Sequence, residues 1–491
     1  MSAQLAIIIV GASGDLAQRK LLPALFSLYA QKLLPAEFRV VGFARTPMTD
    51  ESFRARTAEK LTCRYTPEPQ VCAELMTRFL ARCHYVVGDY GSRDAFLDLA
   101  DRLRQLAGSL GGARLFYLAI PPTIFSDTAR ALGDTGLVAC AAPGEPWTRV
   151  VIEKPFGRDR ASSDQLAAEL ARVFIDEQTY RIDHYLGKEV LQNLLVLRFA
   201  NRIFEPLWNR TYVRDVHIVW KEDLGVGTRA GYFDDYGIVR DVMQNHLMQM
   251  LALTAMEPPA AFAAQAIRNE KVRVLQAVPP LRPEDLVLGQ YAAAERGVGG
   301  RPAYRAEPGI PPGSCTATYA AAVLRVENER WRGVPFFVEC GKALDGPLAA
   351  IRLRFRDVPA NLFVNALPNL PPNELVIRVQ PDEAIFYRVI NKVPGLNLRL
   401  EPSELNLRYR TAFPEVIPEA YETLLLDVIK GDKSLFIRAD ELAAAWDIFD
   451  AALHAVEAQS EAPEPYPYGS RGPVGRAQLA ARHGLELEPM A

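Results

Sequence analysis

The sequence lacks the features that would indicate a membrane protein, a secreted protein or a nucleic-acid-binding protein. Its 491 residues carry a formal net charge of −3, so the overall charge favours neither nucleic acid nor an anionic membrane as a partner. No window approaches the run of about 18 apolar residues that a membrane helix needs. No basic stretch precedes the first apolar run at Ala6, which argues against a signal peptide. We therefore expect a cytoplasmic protein that binds neither nucleic acid nor membranes.

Cysteine is also scarce, and its distribution argues against two kinds of site. The six cysteines are scattered and include no C-x-x-C pair; they are Cys63, Cys72, Cys83, Cys140, Cys315 and Cys340. This spacing predicts neither a disulfide framework nor a zinc site, and it fits a reducing compartment.

The first 180 residues show strand-like and helix-like segments in alternation. Residues 6–10 form a short β-branched apolar run, as expected for a parallel strand buried on both faces. Further strands are predicted at 39–43, 84–87, 114–120 and 149–152, and helices at 16–33, 50–82 and 95–106. This alternation predicts a doubly wound α/β domain of the Rossmann type over residues 1–180.

The pattern changes after residue 180, where we predict an α+β domain over residues 181–491. Helices are predicted at 183–199, 239–256 and 440–457, and strands at 316–326, 335–340, 350–355, 374–380 and 384–390. Turn signals separate the strands, which predicts a large, mainly antiparallel sheet. The Gly/Pro-rich stretch 293–314 is predicted to be a flexible loop.

The turn after the first strand carries a variant of the dinucleotide fingerprint, G-x-x-G-x-x-A, which begins at Gly11. Glycines let the backbone approach a pyrophosphate, and the helix that follows supplies free N–H groups and positive potential. Many strand-to-helix turns contain small residues, but the position of this one between a buried strand and a helix favours nucleotide binding.

The end of the second strand suggests which nucleotide is bound. NAD-specific folds usually place a carboxylate there for the ribose hydroxyls, whereas this strand ends in Gly42-Phe43-Ala44-Arg45-Thr46. An arginine can pair with a 2′-phosphate through its charge and its planar donor fork. The alternative is a solvated loop arginine; with the glycine turn upstream, NADP is the better interpretation.

Two further segments are candidates for substrate chemistry. The stretch from Arg181 to Glu189 is dense in charge and phenols, and the alternative for it is a charged helix start at the surface. On a helix, His184 and Lys188 would share a face and present two donors to one phosphate. His246 lies in a helix-like segment, where a histidine is more often structural; an alcohol dehydrogenase nevertheless needs a base, and imidazole suits that role near pH 7.

These segments and several others resemble the glucose-6-phosphate dehydrogenases of the pentose phosphate pathway over nearly the whole chain. The matching motifs are G-A-S-G-D-L-A at Gly11, E-K-P-F-G at Glu153, R-I-D-H-Y-L-G-K-E at Arg181, G-Y-F-D-D-Y-G-I-V-R-D-V-M-Q-N-H-L-M-Q at Gly231, R-N-E-K-V at Arg268, V-E-N-E-R-W at Val326, G-K-A-L at Gly341 and Y-G-S-R-G-P at Tyr468. The nine-residue motif at Arg181 is the most specific of them.

The resemblance implies a role for each matching residue. His246 would be the base that removes the C1 hydroxyl proton of glucose 6-phosphate, and Asp183 its carboxylate partner. The product would be the 1,5-lactone, with hydride passing to NADP and no metal involved. The implied substrate-binding residues are Lys20, Lys154, His184, Tyr185, Lys188, Glu222, Asp241, Lys342 and Gln380. The implied coenzyme-binding residues are Gly11, Ala12, Ser13, Gly14, Asp15, Leu16, Arg45, Asp89, Tyr90, Pro121 and Lys154, the last next to a proline in a cis bond.

The chain departs from the family pattern at two places. A second basic residue usually follows the G-K-A-L motif, but this chain reads Asp345-Gly346-Pro347-Leu348. Some eukaryotic members also bind a second, structural NADP, and Arg352, Lys392 and Arg471 match parts of that site. Leu348 stands where that site has a lysine, and the tail lacks its aromatic residues. We therefore expect the structural coenzyme to be absent or weakly bound.

Three alternatives to this interpretation differ in class. One is a related dehydrogenase of relaxed specificity that uses NAD or other hexose phosphates, which the change at Pro347 leaves open. Another is a catalytically silent relative that binds sugar phosphate or coenzyme, although the intact set of Asp183, His246, Lys154 and Lys188 argues against it. A structural assembly protein has no positive feature in the sequence. The resemblance also implies self-association through the large sheet, as a dimer or a tetramer.

Overall fold

A computed structural model describes residues 4–107, 112–138, 146–294, 301–459 and 462–487. The chain forms two compact units. The first comprises residues 1–187, 262–268 and 416–442, and the second comprises residues 188–261, 269–415 and 443–491.

The first unit is built on a seven-stranded sheet. Its strands, numbered along the chain, are β1 (Leu5–Val10), β2 (Phe38–Ala44), β3 (Cys83–Val87), β4 (Ala113–Leu118), β5 (Thr148–Ile152), β6 (Thr179–Ile182) and β15 (Phe436–Ile437). The order across the sheet is β15-β6-β5-β4-β1-β2-β3. β1 to β6 pair in parallel, and β15 joins β6 antiparallel. This is the Rossmann order, so the predicted α/β fold is confirmed.

The α-helices of the chain, also numbered in order, have the following bounds. They are α1 (Leu22–Ala30), α2 (Asp50–Ala58), α3 (Pro69–Leu80), α4 (Arg93–Ala107), α5 (Phe125–Gly133), α6 (Arg160–Ala171), α7 (Glu189–Ala200), α8 (Ala230–Ile238), α9 (Met248–Ala255), α10 (Ala264–Gln276), α11 (Tyr409–Ala412), α12 (Ala420–Lys430), α13 (Ala439–Gln459) and α14 (Val474–Arg482). Two π-helical segments, Ala17–Leu21 and Val239–Leu247, lead into α1 and α9.

The second unit is built on a nine-stranded sheet. Its strands are β7 (Val213–Lys221), β8 (Leu286–Ala292), β9 (Tyr319–Arg325), β10 (Pro335–Gly341), β11 (Leu348–Phe355), β12 (Glu374–Gln380), β13 (Ala384–Lys392), β14 (Leu400–Arg408) and β16 (Glu464–Pro467). The order is β14-β13-β12-β11-β7-β10-β9-β8-β16. Among the pairs that the described residues form, β7–β10 and β8–β16 are parallel and the others are antiparallel. The prediction of a large, mainly antiparallel sheet is confirmed.

Several predicted boundaries change in the structure. The helical region predicted at 50–82 is two helices, α2 and α3. Six strands were not predicted, namely β6, β7, β8, β14, β15 and β16. In the predicted loop 293–314, residues 295–300 lie outside the described residues; the described remainder contains the 3-10 turn Tyr304–Ala306.

The prediction that the cysteines form no disulfide is wrong for one pair. Cys63 and Cys72 are joined by a disulfide, with their Cα atoms 6.0 Å apart. Cys72 lies in the first turn of α3, and the chain before that helix turns back far enough to bring Cys63 within bonding range. The separation of nine residues has no C-x-x-C signature, so the sequence pattern did not reveal it.

None of the helices within the described ranges combines the length and the apolar character that crossing a bilayer requires.

Candidate functional site

The turn after β1 requires glycine at its first position. Gly11 has a φ of +91°, and a Cβ atom there would lie 2.2 Å from the carbonyl oxygen of Ala119. Both the conformation and the contact exclude any other residue without a shift of the backbone. The turn is closed by a hydrogen bond of 2.9 Å from the N–H of Gly14 to the carbonyl of Gly11. The backbone therefore leads tightly from β1 into the helix that follows.

The strand order places the predicted coenzyme residues at one edge of the first sheet. The order reverses between β1 and β4, and ligands of open α/β sheets bind outside the carboxyl ends of the strands at such a point. Each predicted residue follows the carboxyl end of a parallel strand. Gly11, Ala12, Ser13, Gly14, Asp15 and Leu16 follow β1, Arg45 follows β2, Asp89 and Tyr90 follow β3, Pro121 follows β4, and Lys154 follows β5.

Two arginines lie beside this turn, although the sequence indicated only one. The guanidinium of Arg45 lies 5.1 Å from the centre of the Tyr90 ring, which orients its planar face. Arg56 donates a hydrogen bond of 2.9 Å to the carbonyl of Ser13. Arg56 had no signal in the sequence because it lies in α2, away from the end of any strand.

Glu153 is the centre of a buried hydrogen-bonded group in the first unit. Its Oε1 accepts a bond of 2.5 Å from the hydroxyl of Tyr117 and one of 3.1 Å from the hydroxyl of Tyr421. Burial raises the pKa of Glu153, and the two tyrosine bonds oppose that shift. The ring of Tyr421 is nearly parallel to the ring of His184, with the centroids 6.2 Å apart. The group thus connects β4, β5 and α12 to the phosphate-binding candidate His184.

The peptide bond before Pro155, in the motif that begins at Glu153, has the conformation that the family resemblance implies. Lys154–Pro155 is cis, as the family resemblance implied. A second cis bond, Gln380–Pro381, was not expected.

The segment after β6 is a tight turn, which corrects one part of the sequence argument. Asp183 accepts a hydrogen bond of 2.9 Å from the N–H of Tyr185, and a 3-10 turn spans His184–Gly187. Lys188 has extended backbone angles, φ −75° and ψ 130°, and α7 begins at the next residue. The prediction that His184 and Lys188 share a helical face is therefore wrong, because no continuous helix contains both.

In the second unit, two predicted substrate residues meet at the end of a parallel strand pair. Glu222 follows β7 and Lys342 follows β10, and the pairing of Lys221 with Gly341 brings the two chain ends together. The ammonium of Lys342 lies 2.5 Å from Glu222 Oε2 and 5.4 Å from the centres of the Trp220 and Phe233 rings. The carboxylate and the aromatic faces compensate the charge of this buried lysine.

Asp241 and His246 lie on the π-helical segment of the same unit. Both side chains are buried, each 3% exposed, and Arg229 reaches within 3.8 Å of Asp241. The N–H of His246 donates to Oδ1 of Asn245 at 2.7 Å. Burial raises the pKa of the Cys340 thiol, and the charges of Asp241 and Lys342 both act on that thiol. π-helical turns of this kind often occur at functional sites.

The remaining predicted residues lie at the ends of their elements. Lys188 and Gln380 are half-buried in the second unit. Burial raises the pKa of Glu383, and the charge of Lys188 opposes that shift, so Lys188 lies near the turn that follows Gln380. Lys20, in the first unit, is half-exposed and pairs with Glu419 at 3.2 Å.

Taken by unit, the residues divide into two chemical groups. The first unit holds the glycine turn, Arg45, Lys154, Asp183 and His184, and the second holds Lys188, Glu222, Asp241, His246 and Lys342. The first group offers cations and a helix start suited to a phosphorylated coenzyme. The second offers carboxylates for hydroxyl groups, cations and a buried imidazole, which suit the oxidation of a polar alcohol.

Comparison with known proteins gives the same result for both halves of the chain. Residues 8–193 match the model described as "Glucose-6-phosphate dehydrogenase, NAD binding domain", and residues 195–488 match "Glucose-6-phosphate dehydrogenase, C-terminal domain".

Individual relatives match over nearly the full chain. The chloroplastic glucose-6-phosphate 1-dehydrogenase of Solanum tuberosum is 50% identical over 98% of this chain and 82% of its own length. The cytoplasmic glucose-6-phosphate 1-dehydrogenase 5 of Arabidopsis thaliana is 44% identical over 98% and 92%. A solved glucose-6-phosphate dehydrogenase in complex with its substrate glucose-6-phosphate matches with a TM-score of 0.91 and 38% identity, covering all of both chains.

Proposed function

Because the chain belongs to the glucose-6-phosphate dehydrogenase family of NAD(P)-binding oxidoreductases, we propose that it oxidises C1 of D-glucose 6-phosphate with NADP. The product is 6-phospho-D-glucono-1,5-lactone, and the reaction is that of the oxidative branch of the pentose phosphate pathway. The bound coenzyme supplies the hydride acceptor. The protein must therefore position the sugar and remove one proton.

The proposed base is His246. Oxidation of a hemiacetal carbon releases a hydroxyl proton as hydride departs, and a neutral imidazole can accept that proton near pH 7. Asp183 is proposed as the carboxylate that stabilises the resulting imidazolium. The observation that carries the proposal is the burial of His246, 3% exposed, on the same helical segment as the equally buried Asp241, since a module that only binds its ligand has no need of a base.

The proposed substrate contacts divide by the part of the sugar phosphate that they bind. His184, Tyr185 and Lys188 hold the 6-phosphate, a dianion that needs several donors. Glu222 and Asp241 accept hydrogen bonds from sugar hydroxyls. Four further residues, Lys20, Lys154, Lys342 and Gln380, complete the proposed substrate set.

The preference for NADP over NAD is proposed from Arg45. Its guanidinium lies 5.1 Å from the centre of the Tyr90 ring, and a 2′-phosphate would form a charge-assisted, planar contact with it. Strand β2 ends in Ala44 and offers no carboxylate for free ribose hydroxyls.

Self-association through the second sheet is also proposed. Strand β14 stands at one end of the sheet order among the described residues, and Leu405 on that strand is 64% exposed. Exposed apolar residues on an edge strand favour pairing with another chain. Analytical ultracentrifugation of wild type and Leu405→Glu is expected to show a dimer or tetramer that the substitution weakens; a wild-type monomer at micromolar concentration would refute this proposal.

We further propose that the enzyme acts in the cytoplasm. The expectation rests on its composition, and the relatives named above are one chloroplastic and one cytoplasmic. Fluorescence microscopy of the tagged full chain in its native cell tests the proposal, and exclusive labelling of an organelle would contradict it.

A steady-state assay tests both the reaction and its specificity. Nicotinamide reduction is followed with glucose 6-phosphate and with other hexose phosphates, using NADP and NAD in parallel. We expect the highest kcat/KM for glucose 6-phosphate with NADP. Comparable values for NAD or for another hexose phosphate would favour the enzyme of relaxed specificity, and no reduction with any pair would refute the proposed reaction.

A further inference from the structure

A cluster of cations that the proposed reaction does not use lies beside β6 in the first unit. Arg181, Arg268 and Lys433 approach a single carboxylate, that of Asp176. Arg181 and Arg268 are buried, 6% and 5% exposed, and the side chain of Lys433 is 11% exposed. Asp176 itself is 45% exposed. One accessible carboxylate therefore faces three cations that are largely withdrawn from water.

The contacts of the two arginines with the Asp176 carboxylate are too long for hydrogen bonds. Arg181 Nη1 is 3.7 Å from Asp176 Oδ1, and Arg268 Nη1 is 3.9 Å from Oδ2. Lys433 Nζ is 3.5 Å from Oδ2 and donates a hydrogen bond to the backbone carbonyl of Asp176. Among the described residues, Arg181 Nη1 and Arg268 Nε have no hydrogen-bond acceptor although both atoms are buried. A buried charged donor without an acceptor is costly.

The charges of the cluster act on one another. Burial lowers the pKa of Lys433 to about 8; Asp176 opposes that shift, and Arg268 and Arg181 add to it. Burial likewise lowers the pKa of Arg181, with Asp176 opposing and Arg268 contributing. The charge of the neighbouring Arg438 is not counted with the cluster, because Arg438 forms an ion pair with Asp440 at 2.6 Å. The three cations thus exceed the one carboxylate between them.

We propose that Arg181, Arg268 and Lys433 form a binding site for a phosphate-class oxyanion, which the Asp176 side chain leaves when the anion enters. A carboxylate has two oxygens and cannot reach three diverging donors at hydrogen-bonding distance. A tetrahedral phosphate offers a separate oxygen to each donor and more charge in total. Asp176 is exposed enough to swing into solvent, and it acts as an internal competitor for the site.

The site is separate in the chain from the residues proposed to bind the substrate phosphate. Asp176 precedes β6, whereas Asp183 and His184 follow it. Arg181 lies on β6 and pairs with Ile437 of β15, and Lys433 lies just before β15. Anion binding here would therefore fix the sheet edge formed by β6 and β15.

Thermal unfolding with inorganic phosphate tests the proposal on the full chain. Chloride keeps the ionic strength constant, and every protein carries Lys188→Met to remove a donor from the proposed substrate phosphate site. The test variant is Lys433→Met, which removes the ammonium that lies 5.1 Å from the centre of the Tyr180 ring and keeps an unbranched side chain. The matched control is Lys430→Met, which removes the same charge at an exposed position three residues earlier.

We expect phosphate at about ten times its Kd to raise Tm by about 2 °C in the background and in Lys430→Met. Lys433→Met should abolish most of that shift, and Asp176→Asn should bind phosphate several-fold more tightly in isothermal titration. Equal phosphate responses in Lys433→Met and Lys430→Met would overturn the proposal. Weaker phosphate binding in Asp176→Asn would also overturn it, since the carboxylate would then be part of the site. The same titration with glucose 6-phosphate shows whether the site binds a sugar phosphate or the free anion: the ligand with the lower Kd is the one that the site prefers.

Discussion

At the scale of single residues, Arg45 makes the most specific claim about the coenzyme. Replacing it with alanine removes the fork proposed to bind the 2′-phosphate and leaves the glycine turn in place. We expect Arg45→Ala to raise the Kd of NADP about 10- to 100-fold, because a charge-assisted contact is worth about 1.5 to 3 kcal/mol. The Kd of NAD serves as the internal control and should change little. Fluorescence titration of both coenzymes makes the measurement, and equal weakening of the two would refute the role.

Residues next to strand ends could be predicted from the sequence, whereas partners distant along the chain could not. Arg45 was predicted because it directly follows a buried strand, and the end of such a strand has a known position in the fold. Tyr421 was missed because its contact with Glu153 joins positions 268 residues apart. The cluster around Asp176 was missed for the same reason, since Lys433 reaches it across 257 residues. Residue type alone carries no record of such pairings.

At the scale of elements, α12 packs against the turn His184–Gly187, and Gly187 sets how closely. A Cβ atom there would lie 2.5 Å from the carbonyl oxygen of Ala420 and 3.0 Å from its carbonyl carbon. Since these atoms are backbone, Gly187→Ala must displace α12 or the turn. We expect a loss of about 1 to 3 kcal/mol in unfolding free energy and a raised KM for glucose 6-phosphate.

The control for this prediction is Gly313→Ala, where an added Cβ meets nothing within 4 Å. Denaturant unfolding and steady-state kinetics of the two variants are compared with wild type. If Gly187→Ala matched Gly313→Ala in both measurements, the close approach of Gly187 to Ala420 would contribute nothing to stability or to substrate binding.

The end of α12 predicts a dependence of stability on pH. Burial raises the pKa of Asp427 from 3.8 to about 7, with repulsion from Asp432 contributing. A negative charge in the last turn of a helix is unfavourable in addition. Between pH 4 and 7 the folded state binds this proton and the unfolded state releases it, so the stabilising contribution is lost as pH rises through that window.

Asp427→Asn removes the unfavourable negative charge that the folded state carries once the pH exceeds the pKa of about 7. We expect it to raise the unfolding free energy by about 1 kcal/mol at pH 8, after allowance for partial exposure, and by much less at pH 5. Asp98→Asn removes the same charge at an exposed position of α4 and serves as the control. A gain that is the same at both pH values would show that Asp427 does not titrate in this window.

Periodicity predicted the well-patterned elements and failed where local geometry competes with it. Strand β12 was predicted with its exact bounds, Glu374–Gln380, because it is apolar and bounded by turn residues. Strand β14 was missed because its sequence, L-E-P-S-E-L-N-L-R, is polar and mostly exposed. The prediction that His184 and Lys188 share a helical face was wrong, because a 3-10 turn and then a residue with extended backbone angles precede α7. Spacing of four residues has meaning only on a continuous helix.

At the scale of the whole molecule, the sequence indicated two domains but not how the chain is shared between them. The first unit recruits residues 416–442, including the edge strand β15 and helix α12. A prediction from sequence assigns each segment to the domain that is nearest along the chain. In the folded protein, a segment joins the domain whose exposed apolar face it buries.

The chain as purified is expected to carry no structural NADP. Of the cations that match that site, Arg352 is buried within 3.3 Å of His217, Lys392 donates to the carbonyls of Val393 and Gly395, and Arg471 lies 3.6 Å from Asp345. Leu348 adds no charge. Released nucleotide is quantified after denaturation of protein purified without added coenzyme. We expect far less than one NADP per chain, and a value near one beyond the catalytic site would refute the prediction.

The central claim, that His246 is the base of a glucose 6-phosphate dehydrogenase, is tested most directly by kcat of His246→Asn. Tm and the Kd of NADP, measured on the same protein, confirm that the variant is folded. We predict a fall in kcat of about 10²- to 10⁴-fold with glucose 6-phosphate and NADP, the range for loss of a general base. A kcat within about twofold of wild type would contradict the account.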